Sequence, residues 1–124
     1  KKNLVSEGKD MLSVDGYAVY EMDIKNISGN QFKVILSDEL ILDYKDGKFQ
    51  MHFTSREKTS LSVGRSLRYV EVEEVKNLKI LADASSVEVF VNDGEYVFST
   101  RYYPEEYKVQ AEANGAQITF ASIS

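Results

Sequence analysis

Two carboxylates, Asp83 and Glu88, lie five residues apart in the stretch "LADASSVEVFVNDGEYVFSTRYYP", which covers residues 81 to 104. Most glycosidases cut a sugar bond with two such groups, held about 5 Å apart for retention of configuration and roughly 6.5–9.5 Å apart for inversion. On a continuous extended chain, five residues would separate the two backbones by about 16 Å and direct the side chains to opposite faces. The spacing therefore favours a structural role, with Asp83, Ser85 and Ser86 forming a turn at the entry of a strand.

The end of the same stretch, from Arg101 to Pro104, supplies further residues that could contact a ligand. In a hairpin, Arg101 would lie diagonally opposite Glu88, where the two charges can pair on the surface. Tyr102 and Tyr103 would point to opposite faces, so at most one of them can stack on a sugar or contact a partner. We predict no catalytic residue, and the candidate sugar or partner contacts are Glu88, Arg101, Tyr102 and Tyr103.

The sequence contains no motif of another catalytic or cofactor-binding chemistry. His52 is the only histidine, and we expect it on a solvent-facing strand surface near Asp43, because no Gly-x-Ser-x-Gly elbow supplies a nucleophile. No cysteine is present, which removes thiolate nucleophiles and cysteine-based metal centres. The glycines also lack the spacing of a phosphate-binding or calcium-binding loop. The sequence predicts no metal and no organic cofactor.

Composition and charge restrict the class of protein. The 124 residues are 43% hydrophobic and 28% charged, and we expect a single globular domain over residues 1–124. A net charge of −5 without a basic stripe argues against nucleic acid and against an anionic membrane surface as partners. The apolar runs are too short for a membrane span. Because the chain begins with Lys-Lys-Asn rather than Met, we expect a fragment or a processed product.

Apolar residues alternate with polar residues along much of the chain, which is the pattern of half-buried strands. The alternation predicts one strand in "YAVYEMDIK" and a second in "FKVIL". The residues that we expect on the buried faces of these strands are Ala18, Tyr20, Met22, Ile24, Phe32, Val34 and Leu36.

The clearest hairpin is "ELILDYKDGKFQMHF", residues 39 to 53. A two-residue type I′ turn requires positive φ at both positions, which Asp46-Gly47 tolerates. A shift of the register by one residue would mix apolar and polar residues on both faces. The predicted opposite pairs are therefore Tyr44 with Phe49, Leu42 with Met51, and Leu40 with Phe53.

Two more hairpins are expected at Asx-Gly pairs. Around Asp93-Gly94 the predicted opposite pairs are Val91 with Tyr96, Val89 with Phe98, and Val87 with Thr100. A three-residue turn that includes Asn92 is an open alternative, because it would pair Phe90 with Tyr96. The last hairpin is expected between "KVQAEA" and "AQITFAS", with its turn at Asn114-Gly115.

The remaining segments complete an all-β pattern. The polar region Ser55 to Gly64 is interpreted as a loop or an irregular edge, and "VEEVKNLKI" as strand, loop and strand. Strands at a spacing of about 8–12 residues are typical of a sandwich. We predict an all-β fold, an antiparallel, jelly-roll-like β-sandwich of two sheets with about nine or ten strands.

The opening stretch resembles the signature region of the C-terminal β-sandwich of glycoside hydrolase family 32. That region has an Asp, a Ser-Val-Glu-Val-Phe core, an Asn-x-Gly turn and a closing Arg-x-Tyr-Pro. One departure is Ala84, where many members carry Arg or another polar residue. The matching positions are Asp83, Ser86 to Phe90, Asn92, Gly94, Arg101, Tyr103 and Pro104.

The resemblance implies an accessory domain. The family includes sucrose-6-phosphate hydrolases, invertases, levanases and inulinases, which act on β-fructofuranosides with retention and without a cofactor. Its members carry their catalytic carboxylates in an N-terminal β-propeller, in Asn-Asp-Pro, Arg-Asp-Pro and Glu-Cys motifs that are absent from this sequence. The implied partners are the parent's own propeller and a second copy in a homodimer, and the implied location is cytoplasmic rather than extracellular. The alternative is a lectin-like module that binds fructan or sucrose in a concave groove.

Overall fold

Short turns and alternating apolar residues arrange the chain as strands throughout the part that the structure describes. The computed structural model describes residues 1–54 and 67–124. Within them the predicted all-β class is confirmed, with ten strands and no helix. The strands are β1 (Lys2–Asp15), β2 (Tyr20–Lys25), β3 (Gln31–Leu36), β4 (Leu40–Lys45), β5 (Lys48–Phe53), β6 (Leu67–Glu71), β7 (Leu78–Asp83), β8 (Ser86–Val91), β9 (Tyr96–Arg101) and β10 (Lys108–Ile123).

One strand connects the two halves of the sheet. The hydrogen-bonded order is β6-β5-β4-β3-β10-β2-β7-β8-β9, and β1 pairs along β10. Residues 109–113 of β10 pair with β3, whereas residues 117–122 pair with β2. We call β3 to β6 the first layer, and β2 with β7 to β9 the second layer. Their inner faces meet in the core, where the ring centroids of Phe49 on β5 and Phe98 on β9 are 5.2 Å apart.

The predicted buried faces are confirmed in both layers. On β2 the buried side chains are Tyr20, Met22 and Ile24, and Ala18 is half-buried just before the strand. On β3 they are Phe32, Val34 and Leu36. Because the polar residues between them face outward, each layer presents an apolar inner face and a mixed outer face.

The register of two hairpins is also confirmed. Tyr44 pairs with Phe49 across β4 and β5, and the turn residues Asp46 and Gly47 have φ values of +49° and +86°. Val91 pairs with Tyr96 across β8 and β9. The connection there is residues 92–95, so the three-residue alternative is not the one that forms.

The predicted hairpin at Asn114-Gly115 is wrong, because β10 runs through this position as one strand. The register between β1 and β10 shifts between Lys9 and Met11, where Asp10 alone stands opposite residues 113–116 of β10 and the ladder is interrupted. Gly115 has φ of +77° and donates its N–H to the Asp10 carboxylate at 2.7 Å. The same dipeptide that closes a hairpin elsewhere therefore supplies the bend at which β10 leaves one layer and enters the other.

The connection between β6 and β7 is a loop, as predicted for "VEEVKNLKI". It is held against the first layer by Tyr44, whose hydroxyl lies 2.9 Å from the Val72 carbonyl and 2.8 Å from the Glu73 carbonyl. Val72 and Val75 are buried beneath the loop. The predicted polar loop from Ser55 to Gly64 lies outside the described residues.

The bend at Gly115 leads to the first prediction. A Cβ added to Gly115 would lie 2.3 Å from the Ser28 hydroxyl, so Gly115→Ala adds an overlap to the strain of positive φ. We expect it to lower the free energy of unfolding by about 1–2 kcal/mol for the backbone and by about 1–3 kcal/mol more for the overlap. Urea unfolding followed by circular dichroism measures this difference.

Gly29→Ala is the matched control, because Gly29 has φ of +93° and an added Cβ there meets nothing within 4 Å. Gly29→Ala should lower the free energy of unfolding only by the cost of placing alanine at positive φ. Equal losses in the two variants would show that the bend of β10 does not depend on close packing against Ser28.

Candidate functional site

The chain reverses direction between the two carboxylates of the opening stretch. β7 ends at Asp83 and β8 begins at Ser86, and the Asp83 carboxylate accepts a hydrogen bond from the Ala84 N–H. Asp83 therefore serves a turn, as predicted. The expectation of opposite faces applies to a continuous strand and is wrong here, because the cross-strand pairs Asp83–Ser86 and Leu81–Glu88 place both carboxylates on the outer face.

The exposure of this pair does not suit acid–base catalysis. Asp83 and Glu88 are both exposed. A glycosidase divides the roles of acid and base between two carboxyl groups by giving them different environments, for example an apolar pocket for the acid. Two carboxylates in open contact with water have no such difference.

The predicted ion pair between Glu88 and Arg101 does not form. Ser86 pairs with Arg101, which places Arg101 diagonal to Glu88 as expected. Both residues lie in the described part of the chain, and no contact within 4 Å joins their charged atoms. Both side chains are exposed and line a cleft of about 540 Å³ together with Arg68, whose guanidinium donates to the Ser99 carbonyl. Since a diagonal separation is about 7–8 Å, each charge remains hydrated instead.

Tyr102 and Tyr103 point in opposite directions, and the structure decides which one reaches the surface. Tyr102 is 3% exposed, and burial raises the pKa of its phenol. Tyr103 is 69% exposed. The Tyr102 N–H donates to the Ser85 carbonyl at 3.1 Å, and the Tyr107 hydroxyl donates to the Ala84 carbonyl at 2.8 Å. This segment therefore holds the turn between β7 and β8.

Asn92 has a role that the sequence did not reveal. Its side-chain oxygen accepts from the Lys76 N–H at 2.8 Å, and its side-chain nitrogen donates to the Glu74 carbonyl at 2.8 Å. The Asn92 N–H in turn donates to the Asn77 carbonyl at 3.0 Å. One amide thus fixes the loop before β7 to the hairpin of β8 and β9. The available signal was an Asn next to Asp-Gly, since Asn tolerates its φ of +53°.

A second group that sequence reasoning missed is the carboxyl pair Glu21 and Asp23 on the outer face of β2. Burial raises the pKa of Asp23 above its ordinary value, and its hydrogen bond to Glu21 raises it further. Burial alone would raise the pKa of Glu21 as well, but hydrogen bonds to Asp23 and Lys2 and the charge of Lys79 outweigh it, so this pKa is lowered. The Glu21 carboxylate lies 3.2 Å from the Lys2 ammonium and 3.8 Å from that of Lys79. Only the alternation of β2 indicated that these carboxyl groups share a face.

Asp23 also lines a groove of about 770 Å³ on the outer face of the second layer, which we call the layer-two groove. The groove extends from the outer face of β2, β7 and β8 to the loops at one end of these strands. Its apolar lining includes Leu81 and Phe90, which are half-buried although they face outward, together with the buried Ile27 and Leu78. The main polar side chains of the lining are Asp23, Lys25, Asn77, Lys79 and Asp93.

His52 lies on the outer face of the first layer, as predicted. Its Nε2 is 3.3 Å from the Asp43 carboxylate, and both side chains are partly exposed. Over residues 1–54 and 67–124, no three His, Asp or Glu side chains are grouped closely enough to hold a metal ion. The same residues contain no helix that is long and apolar enough to cross a membrane.

Comparison with known sequences finds one family and several enzymes. Residues 21–124 match the family model described as glycosyl hydrolases family 32 C terminal. A sucrose-6-phosphate hydrolase of Bacillus subtilis (strain 168) is 40% identical over 50 residues, which are 39% of this chain and 10% of that protein. A probable sucrose-6-phosphate hydrolase of Vibrio cholerae serotype O1 is 26% identical over 102 residues, 82% of this chain and 16% of that protein. The chain thus spans less than a fifth of the length of these two relatives.

Comparison with solved structures finds the same fold in larger chains. Sucrose-6-phosphate hydrolase from Lactobacillus gasseri superposes with a TM-score of 0.79 at 18% identity, over 98% of this chain and 28% of that chain. Exo-inulinase from Aspergillus awamori gives a TM-score of 0.70 at 13% identity, over 100% of this chain and 29% of that chain. At these identities the likeness concerns the fold.

The contacts of Asn92 lead to the second prediction. Asn92→Gly removes the side-chain bonds to the loop and keeps the backbone free to adopt positive φ, so the loss reports the bonds alone. We expect the free energy of unfolding to fall by about 1–2 kcal/mol, because two partly exposed backbone groups lose a partner. Amide hydrogen exchange should be faster at Lys76.

Asn92→Asp separates the two bonds. It keeps the oxygen that accepts from Lys76, but it places a carboxylate oxygen against the Glu74 carbonyl and the Glu95 carboxylate. Asn92→Asp should therefore lower the free energy of unfolding while amide exchange at Lys76 stays slower than in Asn92→Gly. Unchanged exchange at Lys76 in both variants would refute the connecting role.

The carboxyl pair leads to the third prediction. Because the pKa of Asp23 is raised in the folded chain, the folded state still holds this proton when the unfolded state has released it, and the free energy of unfolding falls as pH rises through that interval. Asp23→Asn should abolish this fall. Unfolding by urea at a series of pH values, with carboxyl ¹³C shifts to locate the titration, measures it.

A second variant completes this test. Glu21→Gln should lower the pKa of Asp23, because the hydrogen-bonded and charged neighbour that raises it becomes neutral. A pH profile of Asp23→Asn that coincides with that of the parent chain would contradict the assignment.

Proposed function

The chain belongs to the glycosyl hydrolase family 32 C-terminal domains, and from this membership we propose that it is a non-catalytic accessory domain of a β-fructofuranosidase that acts on sucrose or sucrose 6-phosphate. The two curated relatives are named as sucrose-6-phosphate hydrolases, one of them as probable. The parent enzyme would hydrolyse with retention, using carboxylates of its own catalytic propeller and no cofactor. For a parent enzyme that acts on sucrose 6-phosphate we propose a cytoplasmic location, because a charged sugar phosphate does not cross a bilayer unaided.

The observation that supports this proposal is that the residues of the signature region hold turns and loops in place. Asp83 serves a turn and Asn92 connects a loop to a hairpin. Tyr102, at the variable position of Arg-x-Tyr-Pro, holds the turn at Ser85 through its backbone N–H. A motif whose polar groups are occupied in this way builds a scaffold. Its exposed carboxylates have neither the separate environments nor the enclosure that glycoside hydrolysis needs.

An exposed apolar group is the candidate contact with the propeller. Both layers carry charged residues on their outer faces, among them Lys33 and Asp43 in the first layer and Asp23 and Glu88 in the second. In the second layer an apolar group lies where β1, β10 and the start of β2 meet, and we call it the edge patch: Leu4, Val19, Ala121 and Ile123. Leu4 is 61% exposed and Val19 36%. We propose that the edge patch packs on the propeller and that isolated copies associate through it.

Hexose release tests the catalytic half of the proposal. We expect the chain to release no hexose from sucrose, and none from sucrose 6-phosphate under conditions in which the intact sucrose-6-phosphate hydrolase of Bacillus subtilis releases it. Release that scales with the concentration of the chain and is abolished by Glu88→Gln or Asp83→Asn would overturn it.

Light scattering on the same samples tests the proposal that copies of the chain associate through the edge patch. The chain should associate as its concentration rises, and Leu4→Glu should reduce the association because it places a charge in the edge patch. Lys33→Glu is the matched control on the other layer. A chain that stays monomeric at all concentrations would count against the edge patch.

A further inference from the structure

The layer-two groove has the dimensions of a small-ligand site. Its volume of about 770 Å³ lies within the range of ligand pockets, roughly 300–1,000 Å³. It is formed by three strands of the rigid second layer and by the loop that Asn92 fixes in place. The shape therefore exists before a ligand arrives, which lowers the entropy that binding must overcome.

The groove combines an apolar surface with polar groups, which is the composition of a sugar site. Phe90 and Leu81 supply the apolar part, and a sugar ring carries C–H bonds on one face that pack against such surfaces. Asn77 and Asp93 orient each other, because the Asp93 N–H donates to the Asn77 side-chain oxygen at 3.0 Å and the Asn77 side-chain nitrogen donates to the Asp93 carboxylate at 3.5 Å. The second N–H of the Asn77 amide and the remaining acceptor sites of both side chains suit a ligand with hydroxyl groups, each of which both donates and accepts.

The charges of the lining indicate that this ligand is neutral. The three ammonium groups of Lys25, Lys76 and Lys79 are matched by the three carboxyl groups of Asp23, Glu74 and Asp93. A phosphorylated sugar would meet equal numbers of ammonium and carboxyl groups, so the lining offers no net attraction to offset the dehydration of the phosphate. A neutral sugar can hydrogen-bond to both kinds of group, and charged partners make these the stronger bonds.

We infer that the layer-two groove binds one or two rings of a neutral sugar. The binding activity goes beyond the proposed accessory role and does not depend on it, because no residue of the edge patch lines the groove. Its location also differs from the contacts that the sequence suggested, since Arg101, Tyr102 and Tyr103 do not line the groove.

An amide-resolved NMR titration of the chain tests this inference. Sucrose and a short fructan should produce saturable shifts at amides 25–27, 76–81 and 90–93, with dissociation constants in the millimolar range. Phe90→Ala should weaken binding at least about tenfold. Lys25→Ala, at an exposed strand end, should weaken it about three- to tenfold through the loss of one hydrogen bond.

Val97→Ala is the matched control, because Val97 is 52% exposed on the same sheet face beside Phe90 and does not line the groove. It should bind like the parent chain. Absence of saturable shifts at the groove, or unchanged binding by both Phe90→Ala and Lys25→Ala, would overturn the inference. Tighter binding of sucrose 6-phosphate, with inorganic phosphate shifting the same amides, would overturn the neutral assignment.

Measuring released hexose in the titrated sample distinguishes failure of the sugar-binding inference from failure of the proposed function. Hexose released during the titration reports catalysis and would contradict the accessory role whatever the amide shifts show. Groove shifts without hexose support both proposals. The absence of both groove shifts and hexose refutes sugar binding and is consistent with the accessory role.

Discussion

The pairing of β10 with three other strands is the interaction on which the rest of the structure depends. β10 forms backbone ladders with β1 along its length, with β3 through its first half and with β2 through its second. Because one chain segment is hydrogen-bonded in both layers, the position of each layer relative to the other is fixed by backbone geometry. Side-chain packing between the inner faces, such as that of Phe49 with Phe98, can then be specific.

The candidate surfaces follow from that arrangement. β2 attaches the second layer to β10, and β7 to β9 continue the layer outward. The outer residues of these strands form rows across the sheet, in which Asp23 pairs with Lys79, Lys79 with Phe90, and Phe90 with Val97. The groove at the loop end of these rows exists because Asn92 holds the neighbouring loop. Its lining is thus a product of long-range pairing and of one side-chain amide.

Features that depend on local alternation could be predicted from the sequence. Features that depend on pairing with a strand distant in sequence could not. The hairpins at Asp46-Gly47 and Asp93-Gly94 could be assigned a register because only one register keeps the apolar residues on one face. At Asn114-Gly115 the same local signal accompanies a bend within β10, since β1 offers β10 a partner on both sides of the glycine. The coupling of Glu21 with Lys2 and Lys79 was equally out of reach, because it joins three strands that are distant in sequence.

The two proposed surfaces lie on one face of the second layer but at opposite ends of β2. The edge patch includes Val19 just before the strand, and the groove includes Lys25 at its end. Six residues at about 3.3 Å each separate Val19 from Lys25 by about 20 Å. The two surfaces come closer at Glu21, because it pairs with Ala121 of the edge patch on one side and with Leu81 of the groove on the other. The Glu21 carboxylate, held by Lys2 and Lys79, therefore lies between a propeller docked at the edge patch and a sugar in the groove. Since Asn92 and Tyr102 hold the scaffold from within and at its turns, substitutions on this outer face can alter either contact without altering the fold.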